Sequence, residues 1–242
     1  MSARRFYIET LGCPKNQVDS EVLKHKLSEG GLLETHTPEE ADYIIVNTCT
    51  FIREAKEETI DVVLSLANQK RQGQKLVMLG CMVQRYGDIL KRELPEVDHF
   101  VGFHDLDEFL KSLDCKVNGS TQEFLPETYP YAYLKIAEGC QRQCTFCVIP
   151  SIRGPLRSLP PEDVLKRAEF LVSKGYKEII LIAQDITSYG NDLGKGYGLK
   201  DLLKDLAGID GQFWIKLLYL YPGSVDEALL ELIAENKKIC PY

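Results

Sequence analysis

No long apolar run is present. The opening residues, Met1-Ser2-Ala3-Arg4-Arg5-Phe6, lead into no hydrophobic stretch, so no signal peptide is expected. Nothing approaches the roughly 20 apolar residues of a membrane helix, so no membrane partner is expected either. Histidine is scarce, with 4 in 242 residues and none after His104. A basic excess is also missing: 29 Lys and Arg stand against 36 Asp and Glu, a net charge of −7 and a pI near 5.3. That is not the footprint of a chain that grips nucleic acid over its whole surface, although one basic patch on an acidic chain would suffice for RNA. Internal repeats and low-complexity segments are absent. At 44% apolar and 27% charged residues, the composition is that of a globular chain with ample material for a core, in one large or two modest domains. Eight cysteines remain to be explained. In the reducing, cytoplasmic setting expected here, metal binding or catalysis explains them better than disulfides.

Three of them form the most specific feature of the chain, Glu138-Gly139-Cys140-Gln141-Arg142-Gln143-Cys144-Thr145-Phe146-Cys147. The C-x3-C-x2-C spacing lets three thiolates grip one face of an inorganic cluster without straining the chain between them. Iron–sulfur cubes are usually fully ligated by cysteine. Three thiolates from one loop therefore suggest a cube with one iron open to a small molecule. Structural zinc would need a fourth Cys or His nearby, and the next Cys is Cys240. A zinc loop or a chance group of buried thiols is the competing explanation.

The first half alternates strand and helix. Arg5 to Leu11 reads as a buried strand broken by Gly12-Cys13-Pro14-Lys15-Asn16. Asn16 is a plausible N-cap for a helix with Val18, Val22, Leu23 and Leu27 on one face, stopped at Gly30-Gly31. Tyr43 to Val46 is a strand ended by Asn47-Thr48-Cys49-Thr50. A helix follows through Ile52, Ala55, Thr59, Val62, Val63 and Leu66. Lys75 to Leu79 is a third strand, closed by Gly80-Cys81. A weaker unit comprises a helix from Tyr86 to Leu94, a strand from His99 to Val101 and a helix from Leu106 to Leu113. Such alternation implies a parallel sheet covered by helices, with ligands beyond the carboxyl ends of its strands. Cys13, Cys49 and Cys81 each follow a strand, so they should converge at that edge, an arrangement suited to a second three-cysteine cluster. Taken singly, each would read as an ordinary buried cysteine.

Asp114 to Pro130 is polar, aperiodic and punctuated by Gly119, Pro126 and Pro130, which makes a linker over 115–130 between domains at 1–114 and 131–242. Cys115 at its edge reads as a spare thiol. The second half begins with a strand, Ala132 to Ala137, that feeds the cysteine loop. Pro160-Pro161-Glu162 opens a helix whose buried face is Val164, Leu165, Ala168, Leu171 and Val172. Glu178 to Ala183 is a strand, with Gln184-Asp185 at its end. Leu199 to Leu206 reads as a helix, Phe213 to Leu220 as a strand, Val225 to Ala234 as a helix, and Lys238 to Tyr242 as the beginning of a further strand with Cys240 in its core. Lys216 lies inside a strand, where a lysine needs a partner or a cavity.

The C-x3-C-x-F-C loop resembles the signature of radical S-adenosylmethionine (SAM) enzymes, with Phe146 at the aromatic position. Leu11-Gly12-Cys13-Pro14-Lys15-Asn16, Val18-Asp19-Ser20-Glu21, Asn47-Thr48-Cys49 and Leu79-Gly80-Cys81 are similar to the loops of the methylthiotransferase family within that superfamily. The resemblance covers nearly the whole chain. It implies an α/β architecture of a Rossmann-like N-terminal domain followed by a partial, truncated radical-SAM TIM-like barrel. It also implies two [4Fe–4S] clusters, one held by Cys140, Cys144 and Cys147, the other by Cys13, Cys49 and Cys81. In the superfamily the open iron chelates SAM, which an electron from the cluster cleaves to methionine and a 5′-deoxyadenosyl radical. Phe146, Gln184, Asp185 and Lys216 are the SAM contacts implied. The usual Gly-Gly-Glu motif is replaced by Gln184-Asp185, the family's own variant, and Lys216 stands where relatives usually carry Arg, without its bidentate fork. Loop polarity alone would also explain Gln184 and Asp185.

Within the family, Cys13-Pro14-Lys15-Asn16, Val148 to Gly154 and Gln184 to Gly190 resemble the branch that modifies a ribosomal protein. The implied reaction is methylthiolation of the β-carbon of an aspartate in small-subunit ribosomal protein twelve. Such an unactivated C–H bond lies beyond side-chain acid–base chemistry. An electron donor such as flavodoxin or ferredoxin is the other implied partner. A tRNA adenosine methylthiotransferase and a non-catalytic two-cluster electron carrier are the alternatives. Related proteins continue with further βα units and a small C-terminal β-barrel domain, so the chain is expected to behave as a fragment, inactive by itself and with an open barrel edge liable to destabilise it.

Overall fold

The computed structural model describes residues 3–103, 105–115, 130–194 and 196–241, which fall into two compact units, Met1–Thr121 and Gln122–Tyr242. Of the linker expected over 115–130, residues 116–129 lie outside this description. Among the described residues no helix is long and apolar enough to cross a membrane.

The first unit runs β1 (Arg5–Thr10), α1 (Pro14–Glu29), β2 (Leu33–Glu34), β3 (Tyr43–Thr48), α2 (Arg53–Gln69), β4 (Lys75–Gly80), α3 (Cys81–Glu93), β5 (His99–Val101) and α4 (Leu106–Ser112). All strand pairs are parallel, in the order β2-β1-β3-β4-β5. Strands buried on both faces must be apolar at successive positions. Ile44 and Val46 of β3 therefore join Val63 and Leu66 of α2 and Leu90 of α3 on one side. Ile45, between them in sequence, joins Leu23 and Leu27 of α1 and Leu110 of α4 on the other. Leu76 and Met78 against Val77 and Leu79 repeat the alternation in β4. Each side chain removed from water this way contributes about 1.5–3 kcal/mol.

Two expectations need correction here. Asn16 is not the N-cap of α1. Cys13 holds that position in extended conformation, because Pro14 fits the first helical turn. Asn16 is buried instead, donating from Nδ2 to the carbonyls of Leu11 (2.8 Å) and Thr48 (3.0 Å), which stitches the ends of β1 and β3 together. The helix expected from Tyr86 starts at Cys81, straight out of β4, and kinks at Tyr86. The turn is made at Gly80, whose φ of +97° suits only glycine.

The second unit contains β6 (Tyr131–Lys135), β7 (Ala137–Glu138), α5 (Ile149–Arg153), β8 (Arg157–Ser158), α6 (Pro161–Ser173), β9 (Glu178–Ile182), α7 (Leu199–Gly208), β10 (Trp214–Leu217) and α8 (Glu227–Glu235). Strands β6, β9 and β10 form a parallel sheet with β9 in the centre. A bridge from Ile215 to Ile239 adds the beginning of a further strand beside β10. Ala132, Leu134, Ile179, Leu181, Ile215 and Leu217 point to the face covered by α6, α7 and α8. The alternate residues, among them Tyr133, Lys135, Ile180, Trp214 and Lys216, take the other face. The strand expected through Ala137 is interrupted at Ile136, whose N–H still reaches the Ile182 carbonyl at 3.0 Å. Beyond it, β7 turns away to pair antiparallel with β8. The strand expected through Leu220 ends at Leu217, since Tyr219 adopts φ +67° and its carbonyl accepts from the Ile186 N–H. Cys240 is not a core residue: Ile239 takes the buried position, and Cys240 is half-buried, its N–H bonded to the Ile215 carbonyl at 2.8 Å. Cys115 is packed against Gly30 in the first unit, and burial pushes its thiol pKa up.

Candidate cluster and SAM site

In a doubly wound sheet with strand order 2-1-3-4-5, the crevice opens at the carboxyl ends where the order reverses, between β1 and β3. Cys13 follows β1, Cys49 follows β3 and Cys81 follows β4, so the topology carries all three to that edge. Gly12 and Asn16 link them. Gly12 has φ +92°, and a Cβ there would stand 2.6 Å from the Cys49 Cβ and 2.8 Å from its Sγ. The Cys81 thiol donates to Asn16 Oδ1 at 3.9 Å. Thr59 Oγ1 donates to the Cys49 carbonyl at 3.0 Å, holding the loop from α2. Beside Cys49, the Thr50 hydroxyl oxygen is buried with no hydrogen-bond partner among the described residues. Cys49 and Cys81 are buried and Cys13 is half-buried. Among the described residues no three His, Cys, Asp or Glu side chains converge on one point where a single metal ion would sit. A cube makes no such demand, because each thiolate ligates a different iron. The donor set, three soft thiolates at one sheet edge with the Cys49 side chain seated against the bare Cα of Gly12, fits a cluster.

The cysteine loop of the second unit leaves the carboxyl end of the sheet through β7. Gly139 has φ +77°, and a Cβ there would strike the Pro155 carbonyl oxygen at 2.1 Å. The Cys140 N–H donates to the Gly154 carbonyl at 3.1 Å, so the start of the loop is held down by the segment that leads into β8. Cys140 is buried, Cys144 and Cys147 half-buried, and Phe146 is 82% exposed.

Gln184 and Asp185, side by side after β9, differ in how they are used. Gln184 Nε2 donates to Glu138 Oε1 at 2.5 Å, whereas its Oε1 is buried and meets no donor among the described residues. Glu138 also binds Lys135 Nζ at 2.9 Å and Arg153 Nη1 at 3.3 Å, two cations that compensate its charge. Asp185 is 4% exposed, and both its oxygens are committed: Oδ1 to the Thr187 N–H and hydroxyl, Oδ2 to the Ser188 hydroxyl and Arg142 Nε. Burial alone would raise its pKa. Hydrogen bonds from Thr187, Ser188 and Arg142 outweigh burial and hold it below the usual carboxylate range. Lys216 has its partner in Glu178, at 3.4 Å, the first residue of β9 and so at the end of that strand away from the cysteine loop.

Glu138 and Arg142 escaped the sequence reading as site residues. The only available signal was position, one two residues before the first cysteine of the loop and the other between the first two.

Comparison with known proteins gives two family matches along the chain. Residues 5–102 match the Uncharacterized protein family UPF0004, and residues 134–240 match the Radical SAM superfamily. Two solved structures share the fold. The radical S-adenosylmethionine methyltransferase TsrM from Kitasatospora setae, solved with cobalamin and a [4Fe–4S] cluster, has a TM-score of 0.57 at 12% identity, covering 96% of this chain and 59% of that one. The cobalamin-dependent S-adenosylmethionine radical enzyme OxsB, solved with aqua-cobalamin and S-adenosylmethionine, has a TM-score of 0.52 at 13% identity, covering 96% and 42%. By its family match the second unit is of the radical SAM class. Three relatives named Ribosomal protein uS12 methylthiotransferase RimO are far closer in sequence. That of Thermodesulfovibrio yellowstonii is 49% identical across 99% of this chain and 57% of its own length. Those of Geotalea uraniireducens (47%, across 96% and 56%) and Aquifex aeolicus (46%, across 97% and 54%) follow. The chain belongs to the radical SAM methylthiotransferase family, in the branch whose members carry the name RimO. It spans little more than half the length of these relatives.

Proposed function

We propose that this chain serves the methylthiolation of an aspartate β-carbon in ribosomal protein uS12, the substrate named for its relatives, and that it does so with two [4Fe–4S] clusters and SAM. The observation that carries the proposal is the sequence identity of 46–49% to those relatives over nearly the whole chain, with six cysteines at the carboxyl ends of the two parallel sheets. Cys140, Cys144 and Cys147 would hold one cluster, which when bound would supply the electron for reductive cleavage of SAM. The remaining three, Cys13, Cys49 and Cys81, would hold the other, which would supply the site for the sulfur to be transferred.

The surrounding side chains bind and orient. Glu138 fixes the Gln184 amide by accepting from its Nε2, which leaves Oε1 as a buried acceptor suited to the SAM amino group. Phe146 offers an exposed ring for the ligand's apolar surface. Lys216, paired with Glu178 at 3.4 Å on the other face of the sheet, is the further side chain we assign to the ligand. Asp185, with both oxygens occupied, acts by holding its neighbours. The electron donor is a small reductant protein such as flavodoxin or ferredoxin, and the compartment is the cytoplasm.

Anaerobic reconstitution tests the assignment. About eight irons per chain are expected, four per cube. Cys144→Ala should halve the iron and abolish SAM cleavage under a chemical reductant. Cys49→Ala should halve the iron and keep cleavage. Unchanged iron in either variant would remove that cysteine from the ligand set.

A further inference from the structure

Arg142 lies between two of the proposed cluster ligands, yet its side chain reaches two separate segments of the second unit, one after β9 and one before α8. Nε donates to Asp185 Oδ2 at 2.5 Å, after β9. Nη2 donates to Thr187 Oγ1 at 3.2 Å and to Ser224 Oγ at 2.7 Å, the latter in the turn before α8. The guanidinium carbon Cζ lies over the Tyr221 ring, 3.6 Å from its centre. The same residue's backbone N–H donates to Cys140 Sγ at 3.4 Å. A guanidinium presents a flat fork of donors that can serve a carboxylate, two hydroxyls and an aromatic face together, which an ammonium cannot. Asp185 is equally committed, its four hydrogen bonds coming from Arg142, Ser188 and both donors of Thr187.

We infer that Arg142 and Asp185 form a latch that positions the cysteine loop on the carboxyl end of the sheet before any cofactor binds, with Ser224 and Tyr221 as its keeper. Arg142 is a positioning residue. Through its backbone it also sets the hydrogen bond to the Cys140 sulfur, and hydrogen bonds to cluster sulfurs tune reduction potential. The latch rests on the cluster reading only for this second consequence. Its first consequence, an ordered empty loop, does not depend on iron.

Hydrogen–deuterium exchange of the apo chain tests it. Arg142→Lys and Asp185→Asn should each raise exchange across Gly139–Cys147 by about tenfold, the effect of losing one charge-assisted bond. The double variant should exceed neither single one, because both break the same contact. Exchange in Pro161–Ser173 should be unchanged and serves as the folding control. Ser224→Ala, at an exposed position where folding is not at risk, should give a smaller rise confined to the same loop. Loop exchange that is unaltered in Arg142→Lys and Ser224→Ala, or single effects that multiply in the double variant, would overturn the latch. In the reconstituted chain, Arg142→Lys should also move the cluster midpoint potential to more negative values. Failure of the wild-type chain to bind iron would sink the cluster assignment and leave the exchange result standing.

Discussion

Gly12 shows how one missing methyl group shapes a site. Its backbone takes φ +92°, and its bare Cα lets the Cys49 side chain lie against it. Gly12→Ala would meet both the cost of left-handed backbone and a contact of 2.6 Å with the Cys49 Cβ, which is itself buried. A loss of about 2–4 kcal/mol in stability is expected by urea denaturation. Reconstituted protein should retain only the iron of the second unit. A variant with wild-type stability would mean that the loop relaxes freely and that the cradle is no constraint. Asn16 belongs to the same scale: a residue suited by type to cap a helix is spent on tying β1 to β3.

Elements are joined by a few polar side chains placed at their ends. Thr48 closes β3 by donating from Oγ1 to the Leu79 carbonyl at 2.6 Å while accepting from the Met82 N–H at 3.2 Å, so one hydroxyl joins β3, β4 and α3. Thr48→Val keeps the shape and strands a buried carbonyl and a buried N–H, and should cost about 1–3 kcal/mol in denaturant titrations. Asp98, ahead of β5, accepts from the Leu76 N–H at 2.8 Å and from Lys70 and Lys75 at 2.7 and 3.0 Å. Burial opposes its ionisation, but Lys70, the Leu76 N–H and Lys75 prevail and bring its pKa down to about 2. A carboxyl with a depressed native pKa stabilises above its unfolded value, near 4, and loses that contribution as pH falls toward 2. Stability measured in urea should therefore decline between roughly pH 4 and 2. Asp98→Asn should be about 1–2 kcal/mol less stable at neutral pH and should converge with the parent in acid. Parallel curves at all pH values would show that the carboxylate carries no such share.

At the scale of the whole molecule, charge speaks to substrate class. Nonspecific affinity for nucleic acid comes from cationic contacts with phosphates and weakens steeply with salt. A chain with net charge −7 should show no appreciable tRNA binding at physiological salt in a fluorescence titration, in keeping with relatives named for a ribosomal protein. Salt-resistant tRNA binding would reopen the nucleic-acid alternative.

Much of this protein was legible in its sequence because the relevant physics is local. Continuous apolar runs such as Tyr43 to Val46 and Lys75 to Leu79 must bury both faces, so they point to central strands of a parallel sheet. The spacing of Cys140, Cys144 and Cys147 sets how three sulfurs can spread within one loop, whatever surrounds it. Strand ends depart from the sequence pattern where a distant partner intervenes, as at Tyr219, whose carbonyl serves Ile186, and at Ile136, where β7 leaves to pair with β8. The division of labour between Gln184 and Asp185 was decided only by tertiary structure. Adjacent in sequence and alike in polarity, they are told apart by Glu138 on one side and Arg142 on the other, 46 and 43 residues away. Sequence determines which side chains can bond. Folding determines which of them are left with an atom to spare, because that depends on every donor the chain brings within reach.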